Sequence, residues 1–259
     1  MKIIKFNVGK ANAYLKAYIH EDLTGDGGFI KSRPAIVICP GGGYSYVSPR
    51  EADPVAMPLF IAGYQVFILY YSVEEDIKKS SPESEAAEAL RTIRERSVEF
   101  AVDSSQIAIM GFSAGGHVAA SLLCHYERYG ALSRPDLGIL AYPVITTGAG
   151  SHQGSVRWIT NDFDESLMRY YSLEKEVSVN TPPCFIWHTA EDQTVPICNS
   201  FSFVKALLEN NVSVEYHIYP KGKHGLSIAN KEVGSEVKEV QSWMDLLLNW
   251  LSLMFDFTI

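Results

Sequence analysis

The sequence predicts an α/β fold: a mostly parallel central sheet with helices on both faces. Three observations carry this expectation. The runs at 35–39 and 65–71 are apolar almost throughout, as strands buried on both sides require. Such runs alternate along the chain with helical patterns long enough to serve as right-handed crossovers. Finally, 259 residues that are 47% hydrophobic and 20% charged suffice for one large domain with a substantial core, and exclude an intrinsically disordered chain.

Taken in order, residues 13–19 alternate loosely and suit an exposed antiparallel edge strand. The two apolar runs follow as buried strands. Ser81-Pro82-Glu83 then sets a capping serine, a first-turn proline and an acid ahead of Ala86, Ala89, Leu90 and Ile93, which opens a helix. Residues 107–110 read as a strand, 114–125 as a helix and 138–142 as a strand. Further on come a strand at 184–187, a helix at 200–209, a strand at 214–219 and a closing helix over 232–253. Residues 146–183 break the alternation. They are rich in Gly, Ser, Asn and Asp, carry Trp158, Phe163, Tyr170 and Tyr171, and hold one short helix at 164–171. Because this stretch leaves from the C-terminal end of a strand, where open α/β sheets bind ligands, it is expected to be a lid-like insertion within a single domain spanning 1–259.

The net charge of −8 argues against a nucleic-acid or anionic-membrane partner, since either favours a basic face. Cys39, Cys124, Cys184 and Cys198 are scattered, with no C-x-x-C pair, so no structural zinc site is expected. The opening residues 1–6 lack the apolar core of a signal peptide. The apolar stretch 246–255, interrupted by Asn249, falls short of the roughly 20 residues a membrane span needs. A cytoplasmic protein in a reducing compartment is the expectation.

Gly111-Phe112-Ser113-Ala114-Gly115 matches G-x-S-x-G and lies between a strand and a helix, the context of a nucleophile elbow. A serine held at the apex of such a turn exposes its hydroxyl, while the new helix aims backbone N–H groups at developing negative charge. Gly43-Tyr44-Ser45 lacks the second glycine and a following helix, so Ser45 is set aside. A serine nucleophile needs a base. Of the seven histidines, His224 sits in a loop after the last strand, on the same sheet edge as Ser113. His117 lies on the helix leaving the elbow, and His188 ends a strand. His20, His125, His152 and His217 fall in strands, helices or an open loop. The imidazole in turn needs a carboxylate to hold its tautomer, and the chain order of such sites is serine, acid, histidine. Asp192, in the loop leaving the 184–187 strand, fits best, with Glu191 as its neighbouring rival. Pro40-Gly41-Gly42-Gly43-Tyr44 follows the 35–39 strand, and the N–H groups of Gly42 and Gly43 are expected to join that of Ala114 in an oxyanion hole.

These elements in this order resemble the α/β-hydrolase esterases of the acetylxylan-esterase and bacterial feruloyl-esterase-like group, related to the hormone-sensitive-lipase type. The resemblance covers about residues 34–227. Its most specific pieces are Cys39-Pro40-Gly41-Gly42-Gly43-Tyr44, Arg50-Glu51-Ala52, Tyr71-Ser72-Val73, Gly111 to His117, Thr181-Pro182-Pro183, His188 to Asp192 and Lys223-His224-Gly225. It implies an α/β-hydrolase fold and a serine carboxylic-ester hydrolase acting through an acyl-enzyme, with no metal or organic cofactor. Small acyl esters, acetyl foremost, are the implied substrates, with acetylated carbohydrates a plausible class. Pro40 stands where the lipase-type pattern has a histidine, a difference that bears on loop shape rather than on chemistry. Tyr44, Tyr71 and Trp158 are expected to offer aromatic faces to the substrate. Amide, formamide or small-peptide cleavage by the same three residues remains an alternative. A peptidase is disfavoured because the propeller such relatives carry finds no room in 259 residues. A non-catalytic binding protein of this fold is a second alternative, opposed by the presence of Ser113, Asp192 and His224 together. The apolar carboxyl-terminal helix, with Trp243, Leu246, Leu247, Trp250, Leu251 and Leu253, is read as closing the core, and Tyr14, Tyr18, Phe255 and Phe257 near the chain ends equally as marking a homodimer contact.

Overall fold

The computed structural model describes residues 1–21, 25 and 28–259. Its centre is an eight-stranded sheet in the order β1-β2-β4-β3-β5-β6-β7-β8. The strands are β1 (Lys2–Asn7), β2 (Tyr14–Ile19), β3 (Arg33–Cys39), β4 (Gln65–Tyr70), β5 (Val102–Phe112), β6 (Leu137–Ala141), β7 (Cys184–Thr189) and β8 (Val214–Tyr219). From β4 across to β8 all neighbours are parallel, whereas β2 joins β1 and β4 antiparallel. With helices on both faces, this is the α/β-hydrolase architecture.

The apolar strands explain the layering. In β5, Ile107 and Ile109 enter one hydrophobic core while Ala108 and Met110 enter the other, and β3 and β4 divide in the same way. A strand that feeds two cores has no polar side, which is why these runs lack alternation. The first core is closed by α2 (Pro82–Glu95), α3 (Ala114–His125) and α6 (Cys198–Glu209), through residues such as Leu90, Leu122 and Phe203. The second is closed by α1 (Asp53–Ile61) and α7 (Lys238–Phe255). On α7, Val240, Trp243, Met244, Leu247, Trp250 and Leu251 recur at helical spacing on one buried face. Ser81 caps α2 as expected, its side chain accepting the Ser84 N–H at 3.2 Å.

Three expectations about elements change. The strand at 14–19 is interior, because β1 covers it and takes the edge, carrying Lys2 and Lys5. The closing helix begins at Lys238 rather than near 232. Gly234, with φ of +71°, turns the chain, and the Val237 N–H bonds back to the Ala229 carbonyl. The 146–183 segment holds two short helices, α4 (Gln153–Ile159) and α5 (Glu165–Tyr170). It is packed down: the Leu173 N–H reaches the Ile145 carbonyl, Tyr170 donates to Glu83, and Val156, Ile159 and Leu173 are buried.

Candidate active site

The chain leaves β5 at Phe112 and enters α3 at Ala114 with no residue to spare, so Ser113 makes the whole turn. It does so at φ +54° and ψ −118°, in the left-handed half of backbone space where a non-glycine residue is strained. The glycines of the pentapeptide are required by the closeness of strand and helix. A Cβ on Gly111 would strike the Gly115 carbonyl, and one on Gly115 would strike the carbonyls of Cys39 and Pro40. Ser113 is mostly buried, at 8% exposure, yet lines an open cavity of about 380 Å³.

Ser113 Oγ lies 2.7 Å from His224 Nε2, and His224 Nδ1 lies 2.6 Å from Asp192 Oδ2. The three side chains expected from the sequence therefore form one hydrogen-bonded line, although they come from three separate loops at the C-terminal edge of the sheet. Asp192 is further fixed by the N–H groups of Thr194 and Val195, each 2.9 Å from Oδ1. Burial works against its ionised form. Hydrogen bonds from His188 and His224, the nearby imidazole charge and the Val195 N–H prevail, and hold the carboxyl well below the usual carboxylate range. Glu191 accepts the Gly222 N–H at 3.1 Å and so steadies the loop that carries His224. Its candidacy as the acid ends there.

The backbone N–H of Ala114 and those of Gly42 and Gly43 have no acceptor among the described residues. The Gly41 N–H is committed to Glu51 Oε2 at 2.8 Å. This leaves free donors on the loop after β3 and at the start of α3, on either side of Ser113. A serine hydroxyl backed by an imidazole and a carboxylate, beside unpaired backbone donors, is equipped for nucleophilic attack on a carbonyl and for holding the resulting oxyanion.

Tyr44 and Tyr71 do not offer faces to a substrate, which corrects the sequence expectation. Tyr44 is 1% exposed and its hydroxyl meets His117 Nδ1 at 2.8 Å, while Tyr71 is 3% exposed and donates to the Pro40 carbonyl at 2.6 Å. Both rings hold the glycine loop from behind. Trp158 is half-buried and lines a different cleft, with Glu74, Lys78 and Asp162, though its indole N–H reaches Ser45 Oγ at 3.2 Å.

Residues not singled out in the sequence complete the arrangement. Buried Glu51 accepts both the Gly41 N–H and, at 2.6 Å, the hydroxyl of Tyr142. The Tyr142 oxygen in turn accepts the Ser227 N–H at 2.9 Å, and its ring stands edge-on to His224. Arg50 donates to the Gly225 carbonyl at 2.5 Å. One polar relay thus ties the glycine loop to the His224 loop. The sequence signal for it was the Arg50-Glu51-Ala52 segment, which carried no assigned role. His188 lies behind Asp192: its Nε2 is 2.9 Å from the Val195 carbonyl and 3.3 Å from Asp192 Oδ2, and its Nδ1 is 2.6 Å from Ser200 Oγ.

A family model described as the prolyl oligopeptidase family matches residues 73–250, a span that includes Ser113, Asp192 and His224. The chain belongs to the prolyl oligopeptidase family. It is 39% identical over 231 residues to endo-1,4-β-xylanase B of Butyrivibrio fibrisolvens, covering 84% of this chain and 35% of that protein. It is 29% identical over 229 residues to the acetylxylan esterase of Xylanibacter ruminicola, covering 84% of this chain and 45% of that one. The chain thus spans less than half the length of these curated relatives. Among solved structures, the acetyl ester-xyloside bifunctional hydrolase of Caldicellulosiruptor lactoaceticus superposes with a TM-score of 0.84 at 33% identity, covering 94% of this chain and 89% of that one. The esterase resemblance read from the sequence agrees with these relatives.

Proposed function

We propose that the protein is a serine carboxylic-ester hydrolase that takes short acyl esters, acetyl above all, of hydroxyl-bearing alcohols such as carbohydrates. The observation that carries this reading is the unbroken Ser113–His224–Asp192 line at the floor of a cavity walled by glycines and polar side chains. Names that speak of acetylxylan and acetyl esters among the relatives support the same substrate class.

His224 Nε2 takes the hydroxyl proton as Ser113 Oγ bonds to the acyl carbon. The carbonyl electron pair moves onto oxygen, where the N–H groups of Ala114, Gly42 and Gly43 receive it. Collapse of this intermediate expels the alkoxide, which leaves with the proton from His224, and acyl-Ser113 remains. Water then gives a proton to His224 and attacks the acyl carbon. The second collapse releases the acid and returns the proton to Ser113. Asp192 stays ionised throughout, holds the Nδ1–H and stabilises the transient imidazolium.

Membership of the prolyl oligopeptidase family favours amide cleavage as a second reading. The free cysteines support residence in a reducing compartment such as the cytoplasm. Among the described residues, no helix is long and apolar enough to cross a membrane.

Hydrolysis of p-nitrophenyl esters from acetyl to octanoyl, with p-nitroacetanilide alongside, tests the proposal. The expected result is fastest turnover of the acetyl ester, slower turnover of the anilide, and a loss of at least about 10³-fold in Ser113→Ala. Near-wild-type activity of Ser113→Ala removes the reading. A maximum at octanoyl removes the short-acyl preference, and faster anilide cleavage favours the amidase.

A further inference from the structure

His152 stands at the start of α4, in the segment between β6 and β7, and its ring forms part of the cavity wall with Gly43, Ser113 and His224. Its Nδ1 accepts the Ser155 N–H at 3.2 Å and lies 2.8 Å from Ser155 Oγ. A backbone N–H can only donate, so Nδ1 must carry a lone pair, and the proton of the neutral ring sits on Nε2. Among the described residues, no protein group accepts that proton. Burial, followed by the proximity of His224, lowers its pKa, with Asp192 partly opposing, so the neutral form prevails near pH 7. Serine, threonine, aspartate or asparagine would cap α4 at least as well. An imidazole adds one thing to the cap: a second nitrogen, with its proton in a fixed place, on a ring that lines the cavity.

We infer that His152 is a specificity-determining residue, whose Nε2–H donates to an oxygen of the substrate's alcohol portion next to the scissile ester. The inference rests on the esterase reading and goes beyond it. An acetyl ester has two oxygens of its own. In that reaction the carbonyl oxygen goes to the backbone N–H groups of Ala114, Gly42 and Gly43, and the alkoxy oxygen takes its proton from His224. The acetyl methyl accepts nothing. A further fixed donor beside His224 therefore finds a partner only in another oxygen of the alcohol, and it selects alcohols that carry one close to the ester over plain alkyl alcohols. Preference for the oxygen-bearing alcohol follows because the N–H gains a hydrogen bond that the plain analogue cannot accept.

The test compares trans-2-hydroxycyclohexyl acetate with cyclohexyl acetate, two rings of one size that differ by a single flanking hydroxyl. His152→Asn is the variant of choice, because asparagine caps the Ser155 N–H while its shorter side chain withdraws from the cavity. His152→Ala, which loses the cap as well, runs beside it. The ratio of kcat/KM for the hydroxylated ester over the plain one is expected to fall roughly tenfold in both variants, mostly through KM. Equal losses on the two esters overturn the inference and make His152 a structural cap or a third oxyanion donor. An unchanged ratio overturns it too. If the wild-type protein hydrolyses neither these esters nor p-nitrophenyl acetate, the esterase reading itself falls and takes the inference with it; p-nitrophenyl acetate cleaved with both ring esters left intact overturns the inference alone.

Discussion

At position 192 one carboxylate serves two imidazoles and two backbone N–H groups, and this density of donors keeps a buried acid ionised. His117 shows the opposite balance on the neighbouring helix. It is fully buried, its Nδ1 takes the Tyr44 hydroxyl, and its Nε2–H is given to the Tyr171 carbonyl at 3.0 Å. Burial, offset only in part by that carbonyl, lowers its pKa from 6.5 to about 4. The folded protein therefore binds this proton less readily than the unfolded chain does. The stabilising contribution is whole above about pH 6.5 and drains away as pH falls towards 4, a swing of about 3 kcal/mol. Replacing the ring by glutamine keeps one donor and one acceptor but removes the titration. Thermal melts at pH 7 and pH 4.5 are expected to show a smaller acid-induced fall in Tm for His117→Gln than for wild type. Identical falls would show that this imidazole does not titrate between the two states. Position 117 was read from sequence only as a helical histidine, because nothing local reveals a partner 54 or 73 residues away.

Among the elements, strands feeding both cores were legible because composition alone marks them, and α2 because its cap and first-turn proline are local. The elbow was legible for a related reason: steric demands from α3 and the end of β3 are compressed into five consecutive residues. By contrast, α1 carries Pro54 and Pro58, which obscure a helical pattern, and α4 is capped by a histidine outside the usual set. The short strand β1 gives no sign that it, rather than β2, forms the edge. The Glu51–Tyr142–Ser227 relay joins residues 85 and 91 positions apart, and only folding puts them together. Its element-scale role is to seat the glycine loop against Ser113. Glu51→Ala would leave the Gly41 N–H and the Tyr142 hydroxyl without their acceptor, a stability loss of roughly 2 kcal/mol or more. If the loop supplies oxyanion donors, kcat falls by about 10²-fold with KM changed much less. A normal kcat in a folded Glu51→Ala protein would detach this relay from the chemistry.

Across the whole molecule, parallel strands bring their C-terminal ends to one edge, and the loops after β3, β5, β7 and β8 meet there. The segment after β6 adds a wall through His152 and Gly154. Chain order thus follows sheet order: glycine loop, serine, carboxylate and histidine leave β3, β5, β7 and β8 in turn. This is why three distant side chains are recognisable as a set in the sequence, while the walls of the cavity are not. Those walls depend on how the loop after β3 packs against the 146–183 segment and the His224 loop, and the aromatic residues that looked available, Tyr44 and Tyr71, are consumed in holding the glycine loop.

Covalent labelling by a fluorophosphonate, read by intact mass and peptide mapping, tests the central claim most directly. The account predicts a single adduct on Ser113, absent in Ser113→Ala and slowed by at least about 10³-fold in Asp192→Asn. Adduct formation that is unaffected by both substitutions, or that falls on another residue, would contradict it.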